Sequence, residues 1–204
     1  MTENIAGAIG KLWSADFSER QEGASTVFQY GRETAGQAIA PWLQDPELAP
    51  LLGAPEPEIT VGIAVGQQAF VKIRSINGEP RLASVPPDQD AQEFELHFPG
   101  KVMLDILTTR DADGDGAIAR YLGKFGQGIQ QVEILCRNVD RATELLKEKF
   151  GVAAVYPATR PGADGTRVNF YLVSSPSGSK VLIELYEKPA HSIQGNLPGH
   201  SSLG

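Results

Sequence analysis

Two spacings of apolar residues divide the chain. From Ile59 onward, apolar positions recur at every second residue in short runs. The runs are ITVGIAV, AFVKIRSI, RLASV, EFELHF, KVMLDIL, GIQQVEILC, RVNFYLV and KVLIELYE. This period predicts strands with two unlike faces. Asn77-Gly78 and Pro99-Gly100 supply turns, and the second makes EFELHF and KVMLDIL a hairpin. A helical period governs 139–150, where Val139, Ala142, Leu145 and Leu146 share one face. Asn138 caps that helix and Gly151 stops it. Before Ile59 the pattern is weaker. Residues 1–24 predict a short helix followed by a polar stretch. Residues 32–52 predict a helix interrupted at Pro41 and near Pro46, and APEPE (54–58) breaks the chain. A connector at 111–125 holds a short helix, AIARYLGKF. The segment 191–204 has no period and reads as a flexible tail.

The order across 126–190 is strand, capped helix, strand and hairpin. A β-α-β-β-β unit of this size is a small curved half-sheet that needs a second copy to close a site. Alternation assigns its faces. Gln130, Val132, Ile134 and Cys136 form the set under the helix, so Ile129, Gln131, Glu133 and Leu135 face the other way. Val181, Ile183 and Leu185 leave Leu182, Glu184 and Tyr186 opposite. Val102, Leu104 and Ile106 leave Met103, Asp105 and Leu107 opposite. Asp105, Gln131, Glu133 and Glu184 therefore share one kind of surface. On a concave face these groups converge and need a metal, a partner, water or a substrate proton, because an unpaired buried acid is costly. On an open antiparallel sheet the same face is simply solvated.

Composition narrows the classes. The chain has 204 residues, 41% hydrophobic and 21% charged, which suits one large domain or two small modules. Its net charge of −7 argues against nucleic acid or an anionic membrane as the main partner. Cys136 is the lone cysteine, so no internal disulfide forms and a reducing compartment is expected. No apolar run approaches the roughly 20 residues of a membrane span. The first residues lack the marks of a secretion signal, and a cytoplasmic location is expected.

Three smaller signals remain. DADGDGAIARYL (111–122) matches the first eight positions of a calcium-binding EF-hand loop but ends on Leu122 instead of a bidentate Glu. It reads as an acidic turn capping the helix behind it. His97 falls on a polar face with Glu93 and Glu95. The turn RPGADGTR offers Arg160 and Arg167 to a phosphate or carboxylate.

The stretch GQGIQQVEILCRNVDRATELLKEKFGV…RPGADGTRVNFYLVSSPSGSKVLIELYE resembles the vicinal oxygen chelate superfamily, the glyoxalase fold, and within it the methylmalonyl-CoA epimerases. GQGIQQV stands where that family has a Gly-x-Gly-Ile-His-His opening. The PGADG turn, the closing LIEL, and the preceding SVPPDQ, FPG turn and MLDIL agree in order and spacing. The likeness covers 85–188 well and 58–84 weakly. It implies an α+β fold of paired βαβββ modules with an N-terminal helical extension. The expected divisions are 1–57 for the extension, 58–110 for module one (or a start near 25), 111–125 for the connector, and 126–190 for module two. It also implies a cup that holds a divalent metal. Carried over by position, Asp105, Gln131 and Glu184 are the metal ligands. The fourth slot falls near Thr60 if module one begins at 58–65, or in STVFQY (25–30) if it begins earlier; neither supplies a histidine. Both family histidines are absent, and an all-oxygen set suits harder ions. Glu184 and Glu133 are the candidate proton carriers, and Arg160 and Arg167 border the ligand. The expected function is an epimerase-like or lyase-like enzyme acting on a small oxygenated or acyl-CoA ligand, with a homodimer as an expected assembly. The competing expectation is a non-catalytic small-molecule-binding module that has lost the metal site.

Overall fold

A computed structural model describes residues 2–175, 178 and 180–189. The tail at 191–204 lies outside them. The elements run α1 (Thr2–Lys11), α2 (Phe17–Ile39), β1 (Ile59–Ala64), α3 (Gln67–Ile76), β2 (Gln92–Phe98) and β3 (Val102–Thr108). They continue with α4 (Ala117–Phe125), β4 (Gly128–Leu135), α5 (Val139–Phe150), β5 (Arg160–Pro161), β6 (Arg167–Ser174) and β7 (Lys180–Glu187). The strands form one curled seven-stranded sheet in the order β2-β3-β1-β4-β7-β6-β5. The fold is α+β.

Register shows how the two halves relate. β1 pairs parallel with β3, matching Val61 to Leu104 and Gly62 to Asp105. β4 pairs parallel with β7 in the same way, matching Val132 to Ile183 and Glu133 to Glu184. β1 and β4 join the halves antiparallel, with Val61 opposite Val132. A pseudo-twofold through that pair relates Thr60 to Gln131, Gly62 to Glu133, and Asp105 to Glu184.

Asn138 accepts a hydrogen bond from the Arg141 amide at 2.9 Å, and Gly151 ends α5 in the left-handed region. Val139, Ala142, Leu145 and Leu146 are buried, as the helical period requires. Asparagine at the cap and glycine at the stop are what a helix between two strands needs.

Four local expectations are corrected. Residues 69–76 form the helix α3, because Phe70 and Ile73, three apart, both reach the core while Val71 stays exposed. Segment 81–85 is not a strand; its one sheet-like bond runs from the Ala83 amide to the Glu93 carbonyl at 2.9 Å. Residues 17–31, expected to be polar coil or a strand, belong to α2, and the first strand of the sheet is β1. The small residues of α2 explain this. A Cβ at Gly31 would lie 2.8 Å from Val61, and one at Gly23 would lie 2.5 Å from the Ala8 carbonyl. Close approach, not a strong apolar stripe, seats this helix across the centre of the sheet. The N-terminal helices thus cover the sheet face opposite the cup, with Ile9, Leu12, Val27, Ile39 and Trp42 in the main core.

The fourth correction lies in β4. A bulge between Gly62 and Ile63 leaves Gln130 unpaired, because Ile63 opposes Ile129 while Gly62 opposes Gln131. One extra residue reverses the alternation beyond it. Ile129 therefore packs on the core, and Gln130 joins the cavity lining.

Candidate active site in the cup

The uncovered face of the sheet lines an open cavity of about 1060 Å³. Glu93, Asp105, Gln130, Gln131, Glu133 and Glu184 all line it. Four of the expected site residues thus meet there: Asp105, Gln131, Glu133 and Glu184. Asp105 is 5% exposed and Gln131 8%. The Gln131 side-chain amide donates to Glu184 Oε2 at 2.6 Å and to Glu133 Oε1 at 3.1 Å. It spans two carboxyls on neighbouring strands. Asp105 Oδ1 is buried and has no hydrogen-bond partner. Gly62 is required by this crowding, since a Cβ there would lie 2.6 Å from Gln131 Cγ and 3.3 Å from Glu133 Oε1.

Burial raises every acid of the floor. Loss of water is the first cause at each position. It pushes Glu133 up to about 8, with the charges of Glu93 and Glu95 adding to it and the hydrogen bond from Gln131 opposing it. Asp105 and Glu184 are held well above the usual carboxylate range by burial and by their acidic neighbours. Glu93, closer to the mouth, is pushed up to about 7 by burial and by the charges of Asp164 and Glu95.

The alternation of β2 could have found Glu93, which the site reading from sequence passed over. Phe94, Leu96 and Phe98 are buried, which leaves Glu93, Glu95 and His97 on the cup side. Glu95 and His97 pair with each other at 2.9 Å in largely exposed positions.

A strap from module one is tied to module two along the cavity lining. Arg81 grips Asp164 through two bonds of 3.0 and 2.6 Å. The Ser84 amide donates to Asp164 at 2.9 Å, and the Asp164 amide returns a bond to the Ser84 carbonyl at 3.0 Å. Gln89 reaches the Pro161 carbonyl at 2.9 Å. Arg160 lines the cavity, pairs with Asp88 at 2.6 Å and stacks over Tyr156. Arg167 does not line it; this side chain pairs with Asp140 at 2.6 Å and Glu187 at 3.5 Å.

The acidic turn takes another form than a side-chain cap. Asp111 accepts from the Asp113 amide at 3.1 Å, while the N-cap of α4 is Gly116, with no side-chain bond. Among the described residues, no group of three or more His, Cys, Asp and Glu is arranged to hold a metal ion. An amide oxygen falls outside that set, so the donors of the floor need a test on their own chemistry. The orphaned Asp105 oxygen, the repelling carboxyls and the Gln131 amide are all oxygen donors or can present one. They fit a hard divalent cation better than a transition metal that prefers imidazole.

No protein-family model matches the chain, and no curated protein matches it. Solved structures do. Methylmalonyl-CoA epimerase from Mycobacterium tuberculosis is 29% identical, covering 65% of this chain and 88% of that one, with a TM-score of 0.52. A hypothetical protein from Bacillus halodurans C-125 is 25% identical over 64% of this chain and 92% of that one, with a TM-score of 0.51. A Streptomyces coelicolor methylmalonyl-CoA epimerase variant in complex with 2-nitronate-propionyl-CoA is 23% identical, covering 64% and 96%, with a TM-score of 0.50. Two paired half-sheets around an acidic cup, with these structural relatives, identify the chain as having the vicinal oxygen chelate, or glyoxalase, fold.

Proposed function

We propose that the cup is an epimerase-like site that moves a proton at the carbon next to a carbonyl of a small oxygenated or acyl-CoA ligand. One observation carries this reading: Glu133 and Glu184 are gathered on one amide at the floor of the cup. Acids raised toward neutrality by burial suit proton transfer near pH 7. The likeness to an epimerase at 29% identity supports the choice of reaction.

In this reading a carboxylate of the floor takes the α-proton. The C–H electron pair moves toward the carbonyl, whose oxygen gains negative charge, and a carboxyl returns a proton to the carbon. Glu184 and Glu133 are the residues assigned to this exchange. Gln131 holds them in place. Asp105, Gln131 and Glu184 would hold a hard divalent cation, and such an ion would supply charge stabilisation at the carbonyl oxygen. Arg160 sits at the mouth, where its guanidinium can exchange Asp88 for an anionic group of the ligand. Arg167 joins it only if the Asp140 and Glu187 pairs open.

A second reading keeps the cup as a binding module without turnover. It is favoured by the Gln131 amide, whose donor atoms already serve two carboxyls. Calorimetric titration of Mg, Mn, Co, Ni and Zn separates the two for the cation. The epimerase-like reading expects Mg or Mn to bind wild type more tightly than the Gln131→Ala, Glu184→Ala double variant. Equal binding to both proteins removes the cation from the account.

A further inference from the structure

We propose that Gln130 donates a hydrogen bond to the ligand's carbonyl oxygen and holds the negative charge that gathers there when the α-proton leaves. The inference rests on the epimerase-like reading and adds a residue to it.

Three observations carry it. The first is the bulge. Regular alternation would turn Gln130 under the core with Val132 and Ile134. The extra residue in β4 turns it out instead, so Gln130 and Gln131 both line the cavity. Bulges gather beside active sites because they re-aim a side chain in this way.

The second is the state of its amide. The Gln130 oxygen Oε1 is buried and accepts no hydrogen bond. Among the described residues no group accepts from Nε2 either, and Nε2 is not buried with the oxygen. An unpartnered polar atom of this kind costs the fold stability. The Gln131 amide beside it is spent, because its hydrogens go to Glu133 and Glu184. Gln130 therefore keeps the carboxamide donor that Gln131 has used.

The third is the surroundings. Leu107, Ile118 and Leu182 line the cavity with Gln130. Leu107 and Ile118 form a small apolar cluster with Ala64, apart from the main core. Helix α4 lies against this end. Its Tyr121 hydroxyl donates to the Ile129 carbonyl at 2.7 Å and fixes the backbone that leads into Gln130. A donor held on rigid backbone among apolar groups does more for a developing charge than one in water.

The reaction calls for such a group. A floor carboxylate takes the α-proton as the C–H bond breaks, and the electron pair moves to the carbonyl oxygen. Ionised acids of the floor repel that oxygen. A neutral N–H donor lowers its energy without giving up a proton. The proton then returns to the carbon from a carboxyl, so atoms and charge balance with no further reactant.

The test pairs rate with stability. Solvent-deuterium incorporation at the α-carbon of methylmalonyl-CoA in D2O is read by mass spectrometry, affinity by calorimetry, and stability by urea midpoints. Wild type should incorporate deuterium. Gln130→Met keeps the length of the side chain and removes the donor. It should lose about 100-fold or more of the rate while affinity stays within about threefold. Its urea midpoint should hold or rise, because an unpartnered polar atom is gone. Gln130→Leu should behave alike, and it serves if the Met variant fails to fold. A lower midpoint with an intact rate makes Gln130 a structural residue and overturns the proposal. An equal loss of rate and affinity makes it a general binding contact and overturns its assignment to the charged oxygen. Incorporation by either folded variant within about threefold of wild type overturns the role of Gln130 alone. A wild type that incorporates nothing overturns the epimerase-like reading, and the proposal for Gln130 falls with it.

Discussion

The two halves of the cup floor share a scaffold and differ in chemistry. Around the pseudo-twofold, module two presents Gln131, Glu133 and Glu184, joined by two hydrogen bonds. Module one presents Thr60, Gly62 and Asp105, and the Asp105 oxygen Oδ1 is left without a partner. Gly62 is the key to the difference. By yielding its side-chain volume it lets Gln131 and Glu133 lean across the central pair. The fold supplies two equivalent places, and the sequence spends one of them on making room for the other.

The comparison can be broken from its scaffold first. Leu145 is 1% exposed beneath module two. Leu145→Ala should cost about 2–5 kcal/mol in denaturant unfolding, the range for deleting a buried leucine. A change near zero would mean that α5 does not hold this half-sheet.

Next comes the space at Gly62. Gly62→Ala should cost about 1–3 kcal/mol, as overpacking does, and should displace Gln131. Loss of the proposed site without loss of stability would sharpen the assignment of Gly62 to the floor. Unchanged stability together with an unchanged site would remove it.

The third test uses pH. The carboxyls of Glu133 and Glu93 are raised in the folded state to about 8 and about 7. The unfolded chain releases these protons at lower pH, near the ordinary glutamate value. Between those limits the folded state binds more protons, so stability falls as pH rises from about 4.5 toward 8. Glu133→Gln should flatten that fall in urea midpoints measured across the window. An equally steep fall in the variant assigns the effect elsewhere. A bound hard cation should restore stability at the alkaline end, because it favours the ionised acids.

The smallest effects lie at the mouth. Arg167→Ala breaks exposed pairs and should change stability by about 0–1 kcal/mol, with little effect on ligand affinity. Arg160→Ala should weaken methylmalonyl-CoA binding more, because Arg160 lines the cavity. The reverse order would show that the Arg167 pairs open to meet the ligand.

The legibility of this molecule in its sequence follows the same division. Module two could be read almost entirely, because Asn138, Gly151 and the apolar set of α5 are strong local signals. Strand alternation placed Glu133 and Glu184 correctly. It failed at Gln130 because a bulge is set by pairing between strands, not by either strand alone. Module one was harder. AFVKIRSI suits both periods over so short a run, and the core decided for a helix. The helix α2 was read only from residue 32 on; its first part, 17–31, was missed because Gly23, Ala24 and Gly31 on its buried face weaken the apolar pattern. Glu93 was visible in the alternation of EFELHF, but nothing local distinguishes it from Glu95. Both line the cavity, and what separates them is that Glu95 is paired with His97 in a largely exposed position.

The central claim is that the acids of module two move a proton at the α-carbon of a ligand in the cup. The most direct measurement is the rate at which wild type and Glu184→Gln place solvent deuterium at that carbon of methylmalonyl-CoA. The account predicts incorporation by wild type and a loss of about 100-fold or more in the variant. Incorporation by Glu184→Gln at the wild-type rate, or binding by wild type without any incorporation, would contradict it.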